Sequence, residues 1–290
     1  MTDSIPPESQ PDRRASRKPD ESTVATPGLL QGQIILLSGV GEGLGRDTAL
    51  LFARHGADLV ITARKTEIID RIAAEVHGLG RVCVPLACDI KSLADCQRTV
   101  ATAIEHFGKI DTLINIAYRG DWPQRTSLLD SAPDLANYRD CFEINVFATL
   151  QLTRLVAQRM IDRRSGRIVM VNTMTAEKVL PGSEAYAGSK IALQRMTRAI
   201  AMELGEYGIR VNSMHPGYMW GPQVRKVMQE RATRNGTTPA HELRLVSEQA
   251  ALRYIPPTEE YARALLFFAS SLSDAVTGQS LHVNGGLYMH

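Results

Sequence analysis

A chain of 290 residues suits one large domain or two small ones, and an apolar fraction of 44% is ordinary for a globular protein. With 33 Lys and Arg against 31 Asp and Glu there is no electrostatic case for nucleic acid, and no apolar run reaches membrane-spanning length. Cys83, Cys88, Cys96 and Cys141 form no Cys-x-x-Cys pair and read as reduced, structural thiols, which predicts a reducing compartment, the cytoplasm.

Residues 1–28 hold five prolines, mixed charges and few large apolar side chains, so they predict a disordered tail. They lack the apolar centre of a secretion signal, and Asp3, Glu8, Asp12, Asp20 and Glu21 argue against a mitochondrial presequence. Ordered structure is expected from 29 to 290 as one domain. Gln33–Ser38 reads as a buried strand. The turn Ser38-Gly39-Val40-Gly41-Glu42-Gly43-Leu44-Gly45 follows, and then a helix containing Leu50, Leu51 and Phe52. Strand, glycine turn and helix form the context of a dinucleotide site: glycines admit the pyrophosphate, and the helix N-terminus offers N–H groups and a positive dipole end. The spacing Gly39-x-x-x-Gly43-x-Gly45 is not Gly-x-Gly-x-x-Gly.

The alternation continues. Strands are expected at Leu59–Thr62, Val82–Ala87, Asp111–Asn115, Arg167–Thr173, Ile209–Met214 and Ser280–Val283. Helices are expected at 66–79, 92–107, 134–161, about 182–207 and 258–270, with an irregular segment from 216 to 257. This pattern predicts an α/β fold with a doubly wound parallel sheet covered by helices on both faces. Ligands of such a sheet bind beyond the carboxyl ends of its strands. That edge is expected to gather Gly39–Gly45, Ala63-Arg64-Lys65, Asp89, Asn115, Thr173 and His215-Pro216-Gly217. Asp89 would serve equally as a helix cap. The histidines show no metal-ligand spacing. His241-Glu242 begins like a zinc-protease motif, but Leu245 stands where the second histidine would be, so no metal is expected.

Tyr186 and Lys190 lie four apart on an expected helix, hence on one face, one turn apart. A tyrosine titrates near about 10, and a neighbouring cation stabilises its phenolate and brings that value toward a working range. The pair is therefore a candidate general acid/base.

In this set and order the motifs resemble the short-chain dehydrogenase/reductase family. The likeness spans 29–290. It rests on Ser38-Gly39-x-x-x-Gly43-Leu44-Gly45, Cys88-Asp89-Ile90, Asn115-x-Ala117, Asn145-Val146, Tyr186-x-x-x-Lys190, Asn212-Ser213-Met214-His215-Pro216-Gly217 and Thr277-Gly278-Gln279-x-Leu281-x-Val283-Asn284-Gly285-Gly286. The resemblance implies a single Rossmann-like domain that binds NAD or NADP and moves a hydride between nicotinamide and a carbonyl or alcohol carbon. It also implies a homo-oligomer, a dimer or tetramer. It gives the catalytic group as Asn145, Thr173, Tyr186 and Lys190, with Tyr186 as acid/base, Thr173 holding the substrate oxygen, Lys190 on the ribose and Asn145 ordering a water to Lys190. Cofactor contacts are expected from Gly39, Gly43, Leu44, Gly45, Arg64, Lys65, Asp89, Ile90, Asn115, Ala117, Tyr186, Lys190, Pro216, Gly217 and Met219.

Three positions depart from the family pattern. Thr173 replaces the usual serine thirteen residues before the tyrosine, Tyr118 replaces a glycine after Asn115-Ile116-Ala117, and Gly221 or Pro222 stands where a threonine clamps the nicotinamide carboxamide. At the end of strand two, Ala63-Arg64-Lys65 offers two cations and no acid, which favours the 2′-phosphate of NADP over NAD. Glu42 opposes that choice. Tyr118, Trp122, Met174, Val179, Tyr218 and Trp220 are the candidate substrate residues. Their bulk predicts a hydrophobic secondary alcohol or ketone, under a lid at about 218–257. A competing reading is a catalytically weak dinucleotide-binding sensor or scaffold. An enoyl reductase is opposed by the four-residue Tyr186–Lys190 spacing, since that subfamily places the two residues seven apart.

Overall fold

Runs of Val, Ile and Leu without polar alternation require burial on both faces, and here they build the sheet. The computed structural model describes residues 28–120 and 127–289. Its strands are β1 (Ile34–Ser38), β2 (Asp58–Ala63), β3 (Cys83–Ala87), β4 (Thr112–Asn115), β5 (Gly166–Val171), β6 (Ile209–Pro216) and β7 (Ser280–Val283). All pair in parallel, in the order β3-β2-β1-β4-β5-β6-β7. The helices are α1 (Leu44–Arg54), α2 (Thr66–Gly78), α3 (Leu93–Phe107), α4 (Ala136–Phe142), α5 (Thr149–Arg163), α6 (Glu184–Gly205), α7 (Pro222–Asn235), α8 (Pro239–Gln249) and α9 (Thr258–Ala269).

The period of two divides the core. Ile35 and Leu37 of β1 join Phe52, Ile69 and Leu265 under α1, α2 and α9, whereas Leu36 between them joins Leu113, Leu152 and Leu193 under α3, α5 and α6. Each of these side chains is fully or almost fully buried, worth roughly 1.5–3 kcal/mol apiece in water-to-interior transfer. The strand order reverses between β1 and β4, so the crevice beyond their carboxyl ends is the switch point where a ligand is expected. The domain is a single doubly wound, Rossmann-like unit.

Three expectations need correction. The helix expected at 134–161 is α4 and α5 joined by a π-helical stretch, Glu143–Ala148. Such a wider turn leaves no trace in apolar periodicity, and it is where Asn145 sits. The segment expected to be irregular carries α7 and α8. Their many charged residues mask the apolar spacing, but Pro222 and Pro239 open them, left-handed Gly236 (φ 65°) closes α7, and the Thr238 side chain caps α8. Val227, Met228, Leu243 and Val246 pack there with Ile255 and Leu287. Glu242, from the zinc-protease-like dipeptide, accepts hydrogen bonds from Asn235 Nδ2 (3.0 Å) and Thr237 Oγ1 (2.6 Å), bracing the turn between the two helices. Third, β5 ends at Val171, and Thr173 caps a 3₁₀ turn, Met174–Ala176.

Residues 1–27, most of the expected tail, and Trp122 lie outside the described residues. All four cysteines are free and buried. Among the described residues no helix is long and apolar enough to cross a membrane.

Candidate active site

The glycine turn is shaped by close backbone approaches. A Cβ on Gly39, whose φ is +84°, would fall 2.3 Å from Ala117 Cα, so the chains leaving β1 and β4 meet here. A Cβ on Gly45 would fall 2.8 Å from Val40 Cα, because the first turn of α1 presses on the loop. Gly41, by contrast, faces open space, and Gly43 has only Thr258 Cγ2 nearby, at 3.6 Å. A cradle closed behind and open in front, at a helix N-terminus, fits a pyrophosphate. Glu42, whose charge would oppose a phosphate, is ion-paired with Arg71 of α2.

Helix α6 brings Tyr186 and Lys190 to a cavity of about 390 Å³ whose walls also include the glycine turn, Thr173, Pro216 and Gly217. Lys190 is 2% exposed and its Nζ donates to the Val171 carbonyl at 2.8 Å. Burial pushes its ammonium down to about 7. The Thr173 Oγ1 accepts from the Thr175 backbone N–H (3.2 Å) and lies 3.0 Å from Thr175 Oγ1. If the Thr175 hydroxyl donates in that pair, the Thr173 O–H stays available to a ligand in the cavity. Asn172 fixes this segment, its Nδ2 donating to the Lys190 carbonyl (3.0 Å) and its Oδ1 accepting from Thr173 N (3.0 Å).

Asn145 is wholly buried in the π-helical stretch. Its Oδ1 accepts from Arg119 N (2.8 Å), and its Nδ2 donates to the Arg119 carbonyl (2.8 Å) and to Ser189 Oγ (2.9 Å). Ser189 Oγ in turn donates to the Tyr186 carbonyl at 2.7 Å. The Asn145 side chain is thereby committed to holding the loop after β4 against α6, and it does not line the cavity.

Of the expected substrate residues, Tyr118, Met174 and Tyr218 line the cavity, as does Met219. Tyr118 stands 6.2 Å from Tyr186, ring centre to ring centre, and its hydroxyl donates to Gln223 Oε1 of α7 at 2.7 Å. Val179 is 87% exposed and lies outside the walls, where its neighbour Leu180 stands instead. Trp220 pairs with Pro257 and stacks under Arg225, also outside the walls. Arg64, Lys65 and Asp89 are exposed beyond the cavity, at the ends of β2 and β3. Ile90 is packed into the core, and Asn115 spends its amide on Thr153 Oγ1 (3.1 Å) and Met170 Sδ (3.2 Å). Sequence reasoning missed Thr175, Gln223, Val224, Val227 and Thr258, all in the walls. The spacing of Val224 and Val227 was the available signal, since it places both on one face of α7.

A family model described as enoyl-(acyl carrier protein) reductase matches residues 39–288. The chain belongs to the short-chain dehydrogenase/reductase family of oxidoreductases. Oxidoreductase UcpA of Salmonella typhimurium is 33% identical over 260 residues, 89% of this chain and 95% of that protein. Among solved structures, NAD⁺-bound xylitol dehydrogenase superposes with a TM-score of 0.81 at 28% identity, covering 89% of this chain and 99% of that one. A 7α-hydroxysteroid dehydrogenase complexed with NADH and 7-oxo glycochenodeoxycholic acid gives 0.78 at 30% identity, covering 90% and 96%. Members of this family use nicotinamide cofactors, and the glycine cradle of this chain has the shape such a cofactor needs.

Proposed function

We propose that this protein transfers a hydride between a nicotinamide cofactor and a hydrophobic secondary alcohol or ketone, with Tyr186 as general acid/base. The observation that carries the reading is the sharing of one cavity by Tyr186, Lys190, Thr173 and the glycine turn, with Met174, Leu180, Tyr218, Val224 and Val227 around them. The cofactor, when bound, supplies or accepts the hydride. Gly41 and Gly43 bind its pyrophosphate. Tyr186 gives its phenolic proton to the substrate oxygen in reduction, or takes the alcohol proton in oxidation. Thr173 donates its hydroxyl hydrogen to that oxygen and orients it. Lys190 holds the ribose and steadies the phenolate, and Asn145 acts from behind the cavity, positioning the start of α6 through Ser189. The apolar walls exclude water and favour an alicyclic, terpenoid or steroid-like carbon frame over a sugar or an acyl thioester. The 7α-hydroxysteroid dehydrogenase solved with 7-oxo glycochenodeoxycholic acid supports this choice.

NADP is the proposed cofactor, ahead of NAD. Arg64 and Lys65 stand where an acid would select the free ribose, and Arg71 offsets the charge of Glu42. The buried free cysteines support a cytoplasmic protein. Exposed Phe147 on the π-helical stretch and Ile191 on α6 support a homo-oligomer, a dimer or tetramer.

The test is an absorbance screen with NADP(H) and NAD(H) across cyclic ketones, steroids, polyols and acyl thioesters. Preference for a polyol or a thioester would refute the apolar cavity. A higher kcat/KM with NAD, unchanged by Arg64→Ala, would refute the cofactor choice.

A further inference from the structure

Spacing along the sequence gives no metal-ligand set, but folding assembles one. His215 of β6 and His282 of β7 are register partners on neighbouring parallel strands, with ring centres 4.9 Å apart. Glu177, just after the 3₁₀ turn that Thr173 caps, reaches the same spot, its Oε2 lying 3.3 Å from His282 Nε2. One ligand atom from each of the three lies within 4.8 Å of the others. We propose that Glu177, His215 and His282 form a binding site for a divalent transition-metal ion of zinc-like chemistry, tying the segment after β5 to the ends of β6 and β7.

Three observations support the assignment. His215 is wholly buried, and its Nδ1, close to the Thr173 backbone, makes no well-aligned side-chain hydrogen bond among the described residues. An imidazole nitrogen so placed can ligate an ion. The outer contacts are those that orient ligands: Ser213 Oγ lies 2.8 Å from His215 Nε2, and Gln194 Nε2 donates to Glu177 Oε1 at 2.6 Å. Finally, tetrahedral bonds of about 2.0–2.2 Å place ligand atoms roughly 3.4 Å apart, so the Glu177–His282 edge at 3.3 Å already fits and the remaining edges, none beyond 4.8 Å, close by at most about 1.4 Å. Two imidazoles and one carboxylate suit zinc, and do not suit calcium or magnesium, which prefer all-oxygen sets.

None of the three residues lines the cavity, whereas Thr173 and Pro216, close to them in sequence, do. The ion would therefore act as a clamp behind the site, setting how firmly those walls are held.

The experiment uses full-length protein dialysed against a chelator and titrated with zinc chloride, alongside His282→Gln and Glu177→Gln. The expected result is one zinc per chain by elemental analysis and a rise of several degrees in melting temperature, both lost in the two variants. Cobalt(II) added to the wild-type protein should give the visible absorption of a tetrahedral site. That signal decides the matter without the variants, should either fail to fold by circular dichroism. No zinc retained by the wild-type protein would overturn the proposal, leaving a hydrogen-bonded His–His–Glu cluster. Equal zinc content and equal melting shift in all three proteins would overturn it too, by placing the ion elsewhere.

Discussion

The glycine edge and α7 border one cavity and are held by different physics. At the glycine edge, position is set by the backbone: Gly39 against Ala117, Gly45 against Val40, and Lys190 and Asn172 locked to main-chain carbonyl and N–H groups. Little there can move without steric collision or loss of a buried hydrogen bond. Over α7 and α8, position is set by side chains meeting side chains or distant carbonyls. Tyr118 meets Gln223, Arg231 donates to the Tyr218 hydroxyl at 2.7 Å, and Tyr261 donates to the Tyr218 carbonyl at 2.8 Å. Such contacts can be exchanged singly without disturbing the sheet. The glycine edge is held by its backbone, and the α7 side by side-chain contacts that can be exchanged one at a time.

If that division holds, the deepest loss comes from the rigid side. Tyr186→Phe should lower kcat by about 10²–10⁴-fold, the worth of one acid–base group, while cofactor still binds. Stopped-flow turnover with a responsive ketone, beside cofactor titration by fluorescence, makes the comparison. An active variant with an unchanged pH profile would remove Tyr186 from the chemistry.

Lys190 tests whether the rigid side stores unfavourable burial. Its native value of about 7 lies below the unfolded value of 10.5. Between those values the unfolded chain holds a proton that the native chain lacks, so this lysine's contribution to stability rises with pH, by up to about 1.4 kcal/mol per unit. At pH 7 and below the native protein carries the full penalty of a buried charge. The Lys190→Met variant lacks that penalty. Its stability relative to wild type should therefore be greatest near pH 6.5 and fall steadily toward pH 10, measured by urea unfolding at several pH values. A difference independent of pH would mean that Lys190 titrates as an exposed lysine.

Thr173 lies between the two regimes, and three variants resolve it. Thr173→Ser keeps the hydroxyl and should keep most activity. Thr173→Val keeps the shape and should lose the equivalent of about 1–3 kcal/mol in kcat/KM, the cost of one missing buried hydrogen bond. Thr175→Val separates cap from ligand contact, because it leaves the Thr173 hydroxyl but removes its neighbour's. Equal rates for Thr173→Ser and Thr173→Val would make Thr173 a packing residue.

The same division explains what was legible in the sequence. β1, the glycine turn and the Tyr186–Lys190 spacing could be read because backbone geometry restricts which residues serve there: only glycine tolerates the approach at Gly39, and a four-residue helical step puts Tyr186 and Lys190 on one face. Asn145 was found by resemblance, but the π-helical turn that presents it was not, since one extra residue in a turn does not alter apolar periodicity enough to see. Helices α7 and α8 escaped because their outer faces carry so many charges. Gln223 had no signal at all, because its contact is with Tyr118, far away in the chain, and Thr175 gave none because its link to Thr173 depends on the 3₁₀ turn that ends β5 early. Val179 was misassigned by one position: Leu180 turns inward and Val179 outward, a choice made by the local loop.

The smallest effect belongs to the α7 side and is the most informative about it. The Tyr118–Gln223 hydrogen bond ties the loop after β4 to α7, between two residues that line the cavity near Tyr186. Tyr118 is 45% exposed, so water competes for its hydroxyl, and the bond should be worth about 0.5–1.5 kcal/mol. Tyr118→Phe keeps the ring against Tyr186 and removes the tie. The expected outcome is a change in kcat/KM of at most about tenfold, carried by KM, with cofactor affinity unchanged. Gln223→Leu should reproduce it. Because both variants break the same contact, the double variant should be no worse than either single one, giving a coupling energy about equal to each single effect. Additive losses would show two independent wall contacts, and α7 would then be anchored by its buried face alone rather than through the cavity mouth.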